Sequence, residues 1–193
     1  MNRYKASCLT TGLIFLIAFL VACGGGEDVE LSPTPPEGNK VVSLGITSTA
    51  FTQGEAIPER YAKDGADISP PLQWGAPPDG TKSFVLIVGD PDAKGGTWIH
   101  WLLFNLPPDT LGLPENAASG NGLPSGAIQG KNSWGHQRYE GPDPPSGTHH
   151  YYFKIYALDR SLALESGIKS KELVKAMAGH VVGYGELMGI YSD

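Results

Sequence analysis

Runs of apolar residues along the chain predict a domain built mainly from β-strands. Segment 84–88 has only apolar residues and ends at a turn-forming Asp-Pro-Asp stretch, as is typical of a strand buried on both faces. Segments 98–106 and 151–158 carry apolar or aromatic side chains on both alternating faces, which predicts two further buried strands. Weaker patterns over 41–47 and 185–191 predict a first and a last strand.

Helical periodicity occurs near the end of the chain. Ser170 can cap a helix whose apolar positions run from Leu173 to Val181, and Gly183 marks its stop. Strands followed by one or two short helices late in the chain predict a mainly β fold, an antiparallel sandwich or barrel with helical decoration. The periodicity leaves both architectures open.

The N-terminal part of the chain predicts a lipoprotein signal peptide and a tether. Residues 1–22 join a positively charged start to an apolar run that is too short for a membrane span of about 20 residues. The next residue, Cys23, ends a Leu-Val-Ala-Cys stretch that resembles the lipobox of bacterial lipoproteins, which implies lipidation of Cys23. Residues 23–40 are rich in glycine, proline and acidic residues and predict a flexible tether before a domain over 41–193. A permanent anchor helix is the alternative.

Charge and cysteine usage narrow the class of function. Loss of residues 1–22 would lower Lys+Arg from 14 to 12 against 20 Asp+Glu, so the net charge would change from −6 to −8. A partner that is a nucleic acid is therefore not expected. The two cysteines are Cys8, in the signal peptide, and Cys23, so we expect a lipid-anchored envelope protein whose domain folds without a disulfide.

Ionisable residues beside the buried strands mark candidate chemistry. Asp90 and Asp92 follow the strand at 84–88, and His100 lies within the apolar run at 98–106. A buried histidine needs a partner for at least one ring nitrogen, and a carboxylate partner would favour the imidazolium, a donor suited to an anion. The alternative is a histidine that is satisfied within the core and binds nothing.

A glycine- and proline-rich stretch, 141–148, precedes the strand that carries His149 and Tyr151. Because these two residues are two apart, a strand that begins at His149 turns both side chains to the same face. Gly141 and Pro142 would then form a rigid rim that lets backbone N–H groups approach a ligand. An ordinary hairpin loop is the alternative.

A third loop, 64–72, places the carboxylates of Asp64 and Asp67 beside two prolines. A ligand site would use both carboxylates. The simpler interpretation is a turn in which the side chains accept hydrogen bonds from local backbone amides.

Four stretches together resemble the signature of one family. DGADISPPLQW (64–74), DPDAKGGTWIHW (90–101) and GPDPPSGTHHYYFKIYALD (141–159) resemble, in order and spacing, the phosphatidylethanolamine-binding protein family, also called the Raf kinase inhibitor protein-like family. The terminal AMAGHVVGYGELMGIY (176–191) resembles its bacterial branch. The resemblance extends from about residue 41 to residue 191.

This resemblance implies an antiparallel Greek-key β sandwich with a few short helices and a small anion pocket at one end. Carried over by motif, the pocket residues are Asp90, Asp92, His100, Gly141, Pro142, His149 and Tyr151. The expected ligand is a phosphorylated head group or another small anion, with no cofactor and no metal, and the implied readout is inhibition of a protease or kinase. Asp143 and His150 replace a cysteine and an arginine that are usual in the family, and Asp143 adds negative charge near the expected anion.

An enzyme is the competing class, because an Asp-His pair can serve a hydrolase as general acid or base. The sequence has no Gly-x-Ser-x-Gly elbow and no His-Glu-x-x-His motif, so we expect a binding protein and not an enzyme. A purely structural envelope protein is the third alternative.

Overall fold

The computed structural model describes residues 41–119 and 122–193. The signal peptide, the lipidation site Cys23 and the tether lie outside the described residues and stay predictions. Within the described ranges, no helix has both the length and the apolar character needed to cross a bilayer.

The described residues form eight strands and one α-helix. In chain order they are β1 (Val42–Ser43), β2 (Leu72–Gln73), β3 (Ser83–Asp90), β4 (Trp98–Leu106), β5 (Gly112–Leu113), β6 (Ile128–Gln129), β7 (Thr148–Leu158), α1 (Ser170–Met177) and β8 (Val181–Ser192). A short 3-10 helix spans Glu59–Tyr61. The three buried strands predicted from apolar runs are β3, β4 and β7, so the prediction of a mainly β fold with a late helix is confirmed.

The strands form one large sheet and one small sheet. The large sheet has the order β1-β8-β7-β3-β4-β6, and β2 pairs with β5 in the small sheet. The large sheet is mixed, and not purely antiparallel as predicted, because β1 runs parallel to β8. The strand predicted over 41–47 is shortened to two residues because Thr47 leaves the large sheet and bridges to Gln73 of the small one.

Two hydrophobic clusters cover the two faces of the large sheet. One cluster includes Leu72 and Leu113 of the small sheet, and the other includes Leu173 and Met177 of α1. Alternate residues of β3 enter the two clusters, which explains why the whole of 84–88 is apolar.

Helix α1 ends earlier than the sequence predicts. The chain reverses at Gly179, whose φ of 76° is a left-handed conformation that glycine adopts readily at the end of a helix. Val181, which fits the helical spacing from Leu173, instead begins β8, and the predicted stop at Gly183 lies inside that strand. The helical spacing of apolar residues therefore continues by chance across the turn at Gly179, so this spacing could not locate the end of the helix.

Candidate ligand-binding site

A cavity of about 300 Å³ lies where β3 ends and β7 begins. These strands are antiparallel, so the last residues of β3 lie beside the first residues of β7. Residues from three separate stretches of the chain line the cavity. Five of the seven predicted pocket residues are among them: Asp90, Asp92, His100, His149 and Tyr151.

A β-bulge sets the direction of His100. Residues 88 and 89 of β3 pair with residues 101 and 99 of β4, which leaves His100 without a partner across the two strands. Strict alternation would place His100 on the same face as Leu102. However, Leu102 packs in the cluster under α1, whereas the His100 ring contacts Tyr151 of the other cluster with centroids 5.2 Å apart. The bulge therefore directs His100 into the cavity wall.

His100 is held by the main chain and not by a carboxylate. It is buried, with 3% of its surface exposed, and its Nδ1 donates to the carbonyl oxygen of Glu140 at 2.7 Å. A carbonyl can only accept, so Nδ1 carries the proton. Burial lowers the pKa of His100 although the Glu140 carbonyl raises it, so the ring is neutral at pH 7 and Nε2 is an acceptor. The expected imidazolium with a carboxylate partner is wrong for His100.

The Asp-His pair forms at His149 instead. Nδ1 of His149 lies 2.7 Å from Oδ2 of Asp90, and the Asp90 side chain is 5% exposed. The other oxygen, Oδ1 of Asp90, accepts a hydrogen bond from the backbone N–H of Asp92 at 2.8 Å. With Nδ1 engaged, Nε2 of His149 is the ring nitrogen that remains for a ligand.

Asp92 is bound to His150, one of the two departures from the family pattern. Oδ2 of Asp92 accepts a hydrogen bond from the backbone N–H of His150 at 2.8 Å and lies 2.7 Å from its Nδ1. Burial alone would raise the pKa of Asp92, but the hydrogen bonds from His150 lower it. His150 therefore ties the loop after β3 to the start of β7.

The Tyr151 hydroxyl is buried and has no hydrogen-bond partner among the described residues. Burial, followed by the charge of Asp90, raises the pKa of Tyr151, so the hydroxyl is neutral. The backbone N–H of Asp143 faces the hydroxyl oxygen and lowers this pKa, but it lies outside the geometry of a full hydrogen bond. Leaving a buried hydroxyl unpaired costs about 1–3 kcal/mol, which a bound oxygen or nitrogen atom would offset.

One wall of the cavity comes from Trp134, which the sequence analysis missed. Its ring meets Trp98 and His100 edge-on, at centroid distances of 5.3 and 5.1 Å. Nζ of Lys63 lies over the same Trp134 ring, 4.7 Å from its centroid, in a cation–π contact. The sequence feature that could have indicated Trp134 as a site residue is a tryptophan in an otherwise polar, glycine-rich loop.

Behind this wall lies the buried carboxylate of Glu140, also missed from the sequence. Four side chains donate to it: Lys63 Nζ, Asn132 Nδ2 at 2.8 Å, His136 Nδ1 at 2.9 Å and Arg138 Nη2 at 3.0 Å. Burial alone would raise the pKa of Glu140, but these donors lower it to about 2. Because the carbonyl of the same residue binds His100, the ionised cluster also fixes the position of His100.

Gly141 and Pro142 are not among the lining residues. The Gly141 N–H donates to Oδ1 of Asp67 at 2.7 Å, and a Cβ built on Gly141 would stand 2.1 Å from the carbonyl oxygen of Tyr61. The Pro142 carbonyl accepts from the backbone N–H of Lys63 at 2.9 Å. Glycine is thus required by close backbone packing. The amide that Asp67 binds belongs to a residue 74 positions away, so the turn interpretation, which predicts a local amide, is wrong for Asp67.

Comparison with known proteins identifies the family. The model of the family described as phosphatidylethanolamine-binding protein matches residues 47–192. The chain belongs to the phosphatidylethanolamine-binding protein family. Its relatives include a UPF0098 protein of Methanothermobacter thermautotrophicus, 47% identical over 148 residues, which cover 77% of this chain and 98% of the relative. A UPF0098 protein of Chlamydia trachomatis is 43% identical over 151 residues, which cover 76% and 97%.

Solved structures of family members share the fold. A phosphatidylethanolamine-binding protein homologue from Chlamydia trachomatis superposes with a TM-score of 0.71 at 42% identity, covering 78% of this chain and 98% of that one. YbcL of E. coli, described as a new member of the mammalian family, superposes with a TM-score of 0.72 at 32% identity and the same coverage. Since archaeal proteins are among the relatives, the predicted restriction to a bacterial branch is too narrow.

Proposed function

We propose that the cavity binds a small phosphorylated ligand, such as the head group of a phospholipid, and that the protein is a binding protein. The observation that carries this proposal is the Tyr151 hydroxyl, which is buried in the wall of a cavity and has no partner among the described residues. A phosphate oxygen can accept from this hydroxyl. A volume of about 300 Å³ suits a head group better than a whole phospholipid.

The histidines of the cavity complete the recognition of such a ligand. His149, held at Nδ1 by Asp90, offers Nε2, and Ser146 offers a hydroxyl from the loop directly before β7. His100 offers an acceptor at Nε2, which suits a hydroxyl, an amine or a protonated phosphate oxygen. A phosphate-like group on a protein partner would use the same atoms, and we extend the proposal to a protease or kinase that is inhibited through this cavity.

Tyr151→Phe tests the proposal because it deletes the hydroxyl and keeps the ring. Phosphoethanolamine and inorganic phosphate are titrated by calorimetry and thermal shift, and at a hundredfold excess over Kd a bound ligand stabilises the protein by about 2.7 kcal/mol. We expect Tyr151→Phe to weaken binding about tenfold while the free protein keeps or gains stability, since an unpaired buried hydroxyl is removed.

Tyr152→Phe is the matched control. Tyr152 lies on the opposite face of β7, where its ring contacts Lys154 at 5.4 Å. This variant should bind like the wild type. Equally weakened binding in both variants, or unchanged binding in both, would show that the ligand binds outside the cavity.

A hydrolase is the second candidate, and the His149–Asp90 pair is the observation that favours it. A carboxylate at Nδ1 orients a histidine so that Nε2 can remove a proton from water. Incubation with glycerophosphoethanolamine, followed by phosphorus NMR, tests this candidate. Binding without release of product supports the binding protein, whereas turnover that is lost in His149→Gln supports the hydrolase.

Export and lipidation at Cys23 complete the proposal. The Leu-Val-Ala-Cys stretch supports them, and they would place the cavity outside the cytoplasm, close to a membrane.

A further inference from the structure

Two aromatic side chains in the cavity wall depend on supports that lie outside the cavity lining. His100 and Trp134 are lining residues whose rings meet edge-on, with centroids 5.1 Å apart. The carbonyl oxygen of Glu140 holds His100 from behind, at 2.7 Å from its Nδ1. The Trp134 indole makes no hydrogen bond within the described ranges, so its position depends on its ring contacts. Whatever fixes Glu140 and Trp134 therefore fixes this part of the wall.

One side chain, that of Lys63, contacts both Glu140 and Trp134. Its Nζ donates to Oε1 of Glu140 and lies 4.7 Å from the centroid of the Trp134 ring. An aromatic face attracts an ammonium group, and the attraction is stronger where the ammonium is partly withdrawn from water. The Lys63 side chain is 28% exposed, and it is not among the lining residues. Lys63 can therefore hold two groups of the wall without touching a ligand.

The loop that carries Lys63 is bound to the segment behind the wall. The backbone N–H of Lys63 donates to the carbonyl oxygen of Pro142 at 2.9 Å. Four residues later, Oδ1 of Asp67 accepts from the backbone N–H of Gly141 at 2.7 Å, and Oδ2 of Asp67 lies 3.8 Å from Nζ of Lys63. The Lys63 ammonium is therefore held at both ends of its side chain, by its own backbone and by its partners.

We propose that Lys63 is a positioning residue for the cavity, which keeps the Trp134 ring against His100 while it helps to hold Glu140. A binding site needs such supports, because a lining that is misplaced by about 1 Å binds its ligand weakly. The effect on ligand affinity rests on the proposed function, whereas the position of the Trp134 ring does not. The first signature stretch, 64–74, contributes no lining residue, and its role is then to hold Lys63 and the segment behind the wall.

Lys63→Met tests the proposal because it removes the ammonium group and keeps most of the side-chain volume. In calorimetric titrations of the full chain with phosphoethanolamine and with inorganic phosphate, this variant should bind both ligands about fivefold more weakly. Lys63→Arg should restore the affinity to within about twofold, because a guanidinium can donate to a carboxylate and also lie over an indole ring. Unfolding midpoints above the titration temperature verify that each variant is folded.

Arg138→Met is the matched comparison. Nη2 of Arg138 donates to the same oxygen of Glu140 at 3.0 Å, and Arg138 is not among the lining residues. Each variant removes one positive charge and leaves three of the four donors to Glu140, so the difference between them isolates the contact of Lys63 with Trp134. Arg138→Met should weaken binding by less than about twofold.

NMR spectra of the free protein test the position of Trp134 without a ligand. The ring current of Trp134 shifts the resonances of the His100 ring protons, because the two rings meet edge-on. Trp134→Leu measures the size of this shift. In Lys63→Met the His100 resonances should move towards their positions in Trp134→Leu, whereas in Lys63→Arg and in Arg138→Met they should stay near those of the wild type.

The outcomes separate the positioning role from the proposed function. His100 resonances that stay unchanged in Lys63→Met overturn the positioning role, even where the affinity falls. Equally weakened binding in Lys63→Met and Arg138→Met overturns it as well, because the loss would then come from charge alone. Failure of the wild type to bind either phosphate overturns the proposed function, and the His100 resonances then decide the positioning role by themselves.

Discussion

His100 donates a hydrogen bond from Nδ1 to the carbonyl oxygen of Glu140 at 2.7 Å, although three carboxylates line the same cavity. Because the carbonyl requires a proton on Nδ1 and burial disfavours the charged ring, His100 is a neutral group whose free nitrogen accepts. The carboxylate of Asp90 is bound instead by His149, whose Nδ1 lies 2.7 Å from Oδ2 of Asp90.

The neutral state of His100 predicts how stability depends on pH. Burial, the largest cause, lowers the pKa of His100 in the folded protein below its ordinary value of 6.5. Between the lowered pKa of the folded protein and pH 6.5, the unfolded chain binds more protons than the folded protein. The contribution of neutral His100 to stability is therefore complete above about pH 6.5 and is lost as the pH falls.

Urea unfolding between pH 5 and pH 8 measures this dependence. The acid decline of stability should be smaller in His100→Gln, since glutamine does not titrate, and the difference between the curves isolates His100 from the other histidines. In NMR titrations the His100 ring should have a midpoint below 6.5 and a proton on Nδ1. A midpoint above 6.5 would contradict the neutral assignment.

Glu140→Gln should lower the free energy of unfolding by about 3 kcal/mol at pH 7, because it leaves the surrounding cations without their buried counter-ion. The pKa of Glu140 is about 2, against an ordinary value of 4.5, and this depression is equivalent to about 3 kcal/mol. Its stabilisation is present above pH 4.5 and is lost as the pH falls towards 2.

Denaturant titrations of wild type and Glu140→Gln at several pH values check this prediction. The gap between the two proteins should close between pH 4.5 and pH 2. Glu165→Gln is the control, since Glu165 is exposed and should change stability by less than about 0.5 kcal/mol. A constant gap across the acid range would show that the loss comes from packing and not from the charge of Glu140.

Gly141→Ala should destabilise the protein by about 2 kcal/mol or more, because its Cβ would overlap the carbonyl oxygen of Tyr61 at 2.1 Å. Gly80→Ala is the comparison. Gly80 has a φ of 87° but open space around its Cβ position, so that variant should lose only about 1 kcal/mol, from backbone strain alone. Thermal unfolding measures both, and equal losses would refute the overlap at Gly141.

The sequence predicted the parts of this fold and site that depend on local pattern. Phe84 to Val88 could be read as a doubly buried strand because each residue enters one of two clusters. Asp90 and His149 could be assigned to one site because they lie at the ends of strands that carry family motifs. Their meeting in space follows from the antiparallel pairing of β3 with β7.

The remaining features depend on tertiary contacts that no local pattern encodes. The bulge at His100 is a property of the β3–β4 register, and it directs His100 into the cavity wall. Glu140 and Trp134 lie in a long loop without periodicity, and their roles arise from contacts with Lys63, more than 60 residues earlier. Gly141 is absent from the cavity lining, contrary to the prediction, also because of tertiary contacts.

Cys23→Ser tests the predicted lipid anchor, which lies outside the described residues. In a bacterial host with a lipoprotein pathway, the wild type should partition into the detergent phase, and its intact mass should exceed that of the cleaved polypeptide by the attached acyl chains. Several chains are needed because one chain alone binds a membrane only marginally. Cys23→Ser should move to the aqueous phase with no acyl mass.

Cys8→Ser is the matched control, because Cys8 would be removed with the predicted signal peptide and its replacement should leave lipidation unchanged. Residues 41–193 contain no cysteine, so the unfolding midpoint of the domain should be the same in both variants and in the wild type. This separates anchoring from folding. A wild type that stays in the aqueous phase, with Cys23 unmodified and residues 1–22 still attached, would contradict the predicted anchor and leave the cavity and its ligand to be tested as before.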